Sequence, residues 1–154
     1  MSWTGSVVSI HIGSASEPLK EVSAVEAQAG QGLVGDRYHQ ETGTGTFSKK
    51  NSPDREITLI EAEALEALQN EYQISMTSAE ARRNVTTRGV PLNHLVGKTF
   101  RVGEAVLQGI RLCEPCGHLK WMTGKNVDGL KHRGGLRAQI VTGGTIKQGD
   151  VVTL

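Results

Sequence analysis

Apolar and polar residues change places along this chain at short intervals, and few stretches keep one period for long. Residues 6–12 alternate, with Val8, Ile10 and Ile12 on one side at period two, which predicts a half-buried strand. His11 then falls on the opposite, outward side as a surface histidine. Residues 13–20 are polar, include a proline and read as a turn. Residues 20–29 suit a second strand through Val22, Ala24 and Val25, although Ala-Glu-Ala also suits a helix. Gly30, Gly32 and Gly35 follow within six residues, where the backbone can take positive φ. Asp36-Arg37 offers a local ion pair to fix that loop, and His39 is placed as a ligand or a cap. No Gly-Lys-Ser/Thr follows, so the segment reads as a structural turn and not a nucleotide loop. Residues 40–54 read as a long loop, either disordered or a lid.

The second half is more regular. Residues 56–60 read as a strand, and 61–72 as the clearest helix, with Leu65, Leu68 and Tyr72 on one face. Thr77 or Ser78 can cap a short turn. Residues 82–89 form a polar strand with Asn84 and Thr86 on one side and Arg83, Val85 and Thr87 on the other. So many polar positions point to a ligand-facing surface in place of a core one. After an apolar turn at 91–96, residues 97–102 and 105–112 make a hairpin through Gly103-Glu104. A helix begins near 117–122, an alternating strand covers 136–141, Gly143-Gly144 turns the chain, and 151–154 closes it. Six or more short strands against one good helix predict a β-rich α+β domain, barrel-like, with a few short helices.

At 154 residues, the chain is long enough to bury a core as one domain over 1–154 without disulfide staples. The net charge of +1 hides an uneven distribution. Residues 82–137 hold 11 Lys or Arg against 3 Asp or Glu, a net of +8, while the remainder holds 6 against 13, a net of −7. That is either a solvated basic face or a site for an anionic cofactor or small-molecule substrate. Aromatic residues for base stacking are nearly absent from the basic stretch, so no nucleic-acid partner is expected. No run reaches the roughly 18 apolar residues of a membrane span, so no membrane is expected. The first residues do not resemble a signal peptide, and a cytoplasmic location is expected, with thiols free or metal-bound.

The only two cysteines lie three positions apart in Arg111-Leu112-Cys113-Glu114-Pro115-Cys116-Gly117-His118-Leu119. A structural zinc site needs about four ligands. His118 and His132 would have to complete it, at a spacing unlike the common fingers. A thioredoxin-like dithiol expects a strand–helix–strand context that the chain lacks. Cys113 continues the alternation of Leu107, Gly109 and Arg111 and fits a buried, inert core position. Cys116, between Pro115 and Gly117, fits a reactive thiol whose thiolate is stabilised by backbone N–H groups and nearby arginines. A thiolate is also the soft ligand that a heavy transition metal prefers.

Taken together, several segments resemble the MOSC domain, the family named for the C-terminal domain of molybdenum-cofactor sulfurase. They are Gly32-Leu33-Val34-Gly35-Asp36-Arg37-Tyr38-His39, Arg55-Glu56-Ile57-Thr58-Leu59-Ile60, Arg82-Arg83-Asn84-Val85, Leu95-Val96-Gly97, Glu114-Pro115-Cys116, Gly134-Gly135-Leu136-Arg137-Ala138 and Gly149-Asp150. They occur in family order across nearly the whole chain, and larger reductase relatives add domains or extensions to this bare module. The resemblance implies a β-barrel and the molybdenum cofactor (molybdopterin), with Cys116 as catalytic residue and metal ligand and Cys113 as the other choice. It implies Arg82, Arg83, Asn84, Arg88, Arg133 and Arg137 as cofactor-binding residues. The implied activity is reduction of N-hydroxylated compounds, with electrons from a redox partner protein. The alternative is a persulfide carrier served by a sulfur-donor partner. Pyridoxal phosphate binding is a further family-level association.

Overall fold

A computed structural model describes residues 2–39, 52–115 and 117–154. The chain forms strands β1 (Gly5–Ile12), β2 (Lys20–Val22), β3 (Ala24–Gln28), β4 (Gly32–Leu33) and β5 (Ile57–Glu61), then helices α1 (Ala62–Tyr72) and α2 (Ser78–Ala81). There follow β6 (Val85–Arg88), β7 (Thr99–Val102), β8 (Ala105–Leu112), helix α3 (Gly117–Thr123), β9 (Leu136–Thr142), β10 (Gly144–Lys147) and β11 (Val151–Thr153). Among the described residues, seven strands close a barrel in the order β1-β11-β7-β8-β9-β5-β6 and back to β1. All neighbours in it are antiparallel except β5 and β6. β2 extends the wall beyond β1, and β10, β3 and β4 make a second, three-stranded sheet. The expectation of a β-rich barrel with a few short helices is met.

Two apolar cores follow from the alternation. One fills the barrel, with Ile10, Ile57, Leu59, Phe100, Leu107 and Leu136 fully buried. The other lies outside the wall, where Ile60 of β5 meets Ala64, Leu65 and Leu68 of α1 and Leu119 of α3. A two-residue period thus serves both sides of β5, because helices cover its outer face. None of the helices is long and apolar enough to cross a membrane, among the described residues.

Several expectations need correction. The register of β1 on β6 runs from Val7↔Thr87 to Ser9↔Thr86, a bulge that leaves Val8 unpaired. Val7 and Ile10 therefore face the barrel, while Val8 is only half-buried. His11 is 5% exposed and not a surface residue. It lies opposite Glu21 of β2 on a wall that α2 also touches. Residues 20–29 are two strands broken at Ser23, with no helix, and the chain passes there from the barrel to the second sheet. In β6, Val85, Thr86 and Thr87 are all buried, so these positions face protein on both sides, and Arg88 is the exposed residue of the strand. Most of the 40–54 loop lies outside the described residues; its end, Pro53–Arg55, is a 3-10 turn. Past Gly143, the turn gives way to β10, which pairs with β3. By contrast, Thr77 and Glu80 form the expected cap with reciprocal side-chain bonds. Gly103 takes φ +58 at the expected hairpin.

Candidate functional site

β8 ends at Leu112, and Cys113-Glu114-Pro115 then leads toward α3. This connection is fastened to the loop before β9. The N–H of Cys113 donates to the carbonyl of Gly135 at 2.7 Å. The Glu114 carboxylate accepts the N–H of His132 at 3.0 and 3.1 Å, and His132 holds the left-handed φ of +67. Gly134 lies so close that an added Cβ would stand 2.4 Å from the Cys113 carbonyl oxygen. Arg83 completes the fastening: Nε donates to Gly134 O at 2.9 Å and Nη2 to Cys113 O at 3.3 Å. Cys116, the expected reactive thiol, lies outside the described residues, as does the side chain of His118. Its neighbour Pro115 lines a cleft of about 530 Å³ together with Glu114, Asp128 and Lys131.

The other expected anion-binding residues are dispersed. Arg82 has φ +57, and its side chain clamps the 13–19 turn through the carbonyls of Glu17 at 2.7 Å and of Ser14 and Ala15 at 3.1 Å. Burial, and then the charge of Arg37, lower its pKa. Asn84 ties three strands together: Oδ1 accepts from Thr58 N at 3.0 Å and Thr58 Oγ1 at 3.1 Å, and Nδ2 donates to His11 O at 3.1 Å. Arg88 pairs with Glu66 of α1 and Arg133 with Glu71. Of the six, Arg83 and Arg137 lie beside the cysteine loop.

Arg137 faces outward from β9, directly opposite Arg111 of β8. Asp54 serves both: Arg111 Nε donates to its carboxylate at 2.8 Å and Arg137 Nη1 to its backbone oxygen at 3.3 Å. The hydrogen bond from Ser52 holds the Asp54 carboxyl below its usual range; burial opposes it, and Arg111 and Arg137 add to the lowering. Tyr38 lies between two guanidinium groups, with Arg37 Cζ 4.3 Å and Arg137 Cζ 6.0 Å from its ring centre. Arg37 is itself held by Asp36 at 3.1 Å, the local ion pair expected from sequence. Burial alone would lower the pKa of Arg137, but Cys113, Tyr38 and Asp54 together raise it. Cys113 is buried, as its alternation predicts. Arg111, Asp54 and Tyr38 escaped the sequence reading because they come from three segments that only the folded wall brings together. The available signal was Arg111 itself, a charge near the end of an otherwise apolar strand.

The fold is shared with solved structures. The YuaD protein from Bacillus subtilis superposes with a TM-score of 0.78 at 15% identity, covering 98% of this chain and 97% of that one. YiiM from Geobacillus stearothermophilus gives 0.71 at 16% identity over 97% of this chain and 75% of that one. YiiM from Escherichia coli gives 0.66 at 18% identity over 100% and 70%. None of the curated proteins matches the chain in sequence. The sequence profile of the MOSC domain, however, matches residues 46–153, which include β5 to β11, the Glu-Pro-Cys connection and Arg137. With that match over a barrel of the expected kind, this chain belongs to the MOSC domain family.

Proposed function

We propose that the protein binds the molybdenum cofactor through the Cys116 thiolate, with Arg137, which lies near Cys113, for the anionic pterin end, and that it reduces N-hydroxylated compounds. The observation that supports this most is the fastening of the segment before Cys116. Arg83 and Gly135 hold the backbone of Cys113, and the Glu114 carboxylate holds the His132 N–H, so the chain is anchored two and three residues before Cys116. Among the described residues, no group of three or more His, Cys, Asp or Glu is arranged to hold a metal. A metal carried by an organic cofactor needs only one soft protein ligand, the role this reading gives to the Cys116 thiolate. Arg83 acts in this reading as a positioning residue, and Arg137 has a buried Nε with no acceptor among the described residues. When bound, the cofactor supplies two-electron reduction; an N–OH compound then takes up two electrons and two protons and releases water. The electrons come from a separate redox partner, and a reducing cytoplasm keeps the thiols available.

The test is molybdenum and pterin content of untagged protein from a host that makes the cofactor. Near-stoichiometric molybdenum and pterin, lost in C116A, is the expected result; retention of both by C116A overturns the metal-ligand role. Absence of molybdenum, with a reductant-labile gain of one sulfur at Cys116 in intact mass, would establish the persulfide-carrier alternative instead.

A further inference from the structure

Leu119 of α3 is buried in the outer core, at 2% exposure, and Trp121 follows it by two residues, roughly 200° around the helix. Trp121 therefore stands on the side of α3 away from the core, and at 77% it is the most exposed large apolar side chain among the described residues. An indole left in water contributes little to folding. Directly after it in the chain, Met122 and Thr123 line a cleft of about 180 Å³ together with Pro18 and Ala79. Glu80 also lines this cleft, but its carboxylate is already matched by Lys125 at 2.9 Å. The surrounding segment is basic: residues 117–133 hold four Lys or Arg and one Asp. Lys125 and Arg133 pair with Glu80 and Glu71, whereas Lys120 and Lys131 are exposed and, among the described residues, in no ion pair. An aromatic anchor, an apolar recess beside it and unmatched lysines nearby make up a protein-docking surface. In such surfaces a central aromatic carries much of the affinity and rim charges steer the approach.

We infer that the outer face of α3, centred on Trp121, is where an acidic electron-carrier protein docks, with an apolar side chain of the carrier entering the cleft at Pro18, Ala79 and Met122. The acidic sign follows from Lys120 and Lys131, which draw the carboxylates of the partner. The electron-carrier class rests on the proposed reduction, which takes its electrons from a separate protein. A small patch suits an encounter that must release its partner after each delivery. An anionic bilayer would leave the cleft unfilled, and a seven-residue helix with its Leu119 side turned inward has no apolar face to insert.

The experiment is surface plasmon resonance of a small acidic flavodoxin on the immobilised full-length protein, at low and at physiological ionic strength. Wild type should bind saturably, and more weakly as salt rises. W121A should lose about tenfold or more in affinity, K120E should lose a smaller factor together with part of the salt dependence, and V151S, at an exposed apolar position on β11, should bind like wild type. Absence of saturable flavodoxin binding, or equal binding by W121A, overturns the inference. Trp121-dependent binding to phosphatidylglycerol vesicles in place of flavodoxin overturns it too, in favour of a membrane surface. Both α3 substitutions fall on exposed side chains, so the variants keep both cores. Binding is read without turnover, so a protein that lacks molybdenum leaves this result standing, and absence of docking leaves the cofactor result standing.

Discussion

Arg83 reaches across from the end of α2 to the carbonyl oxygen of Cys113, 3.3 Å away, and also holds Gly134 O at 2.9 Å. Its third bond, to Ala81 O at 3.1 Å, closes back on its own segment. One guanidinium therefore joins the α2–β6 turn, the segment before Cys116 and the loop before β9. Arginine suits this because its five donors sit in a fixed plane, so several carbonyls can be served without rearrangement.

Replacing Arg83 should loosen that junction. Arg83→Met leaves buried carbonyls without a donor and should reduce stability on the order of 3 kcal/mol in urea unfolding. Arg83→Lys should recover only part of it, since an ammonium cannot span the separated acceptors. Amide hydrogen exchange should rise at Cys113, whose N–H bonds to Gly135 O. An unchanged exchange rate there would show that the backbone bonds hold the loop unaided.

Two buried titratable groups should tilt the pH dependence of stability in opposite directions. Burial lowers the pKa of His11, and Glu21 only partly offsets it. The folded state thus favours neutral imidazole; stability is complete above the unfolded value of 6.5 and is lost as pH falls through the lowered folded value. Burial raises the pKa of Glu56 despite the hydrogen bonds from Ile140 and Gly30 backbone N–H groups. Its contribution is present below 4.5 and is lost as pH rises through the raised folded value. Urea midpoints measured from pH 4 to 8 should accordingly fall less on the acid side for His11→Gln and decline less with rising pH for Glu56→Gln. A parallel displacement of the whole curve in either variant would mean that its titration contributes nothing.

How much of this was legible in the sequence depends on distance along the chain. Alternation located most strands, and the hairpin at Gly103 and the capping box at Thr77 are local signals that held. The bulge at Val8 was not legible, because one extra residue in a register depends on the partner strand β6. The two charge halves looked like separate faces, yet folding pairs them: Arg88 with Glu66, Arg133 with Glu71, Lys125 with Glu80 and Arg111 with Asp54. Polar residues in a strand signalled importance correctly without saying what they bind. Arg82, Arg83 and Asn84 turn their polar groups to protein backbone, and a carbonyl far along the chain leaves no trace in local pattern.

Asn84 gives the sharpest test of that last point. Its side chain accepts from Thr58 N–H and hydroxyl on β5 and donates to the His11 carbonyl on β1, so a single amide satisfies groups on both neighbours of β6. It is fully buried, which leaves no water to replace it. Asn84→Ala should lower stability by about 2–4 kcal/mol, since a donor N–H and an acceptor C=O both lose their partner. Asn84→Asp keeps the two acceptor contacts but turns an oxygen toward the His11 carbonyl in place of a donor. A protonated Asp can still donate there and an ionised one cannot, so burial should raise its pKa in the folded state. Its penalty should therefore be small at acid pH and grow as pH rises through that raised value, whereas the Ala penalty should stay nearly constant. Equal pH dependence for the two variants in chemical denaturation would show that the His11 contact adds no stability.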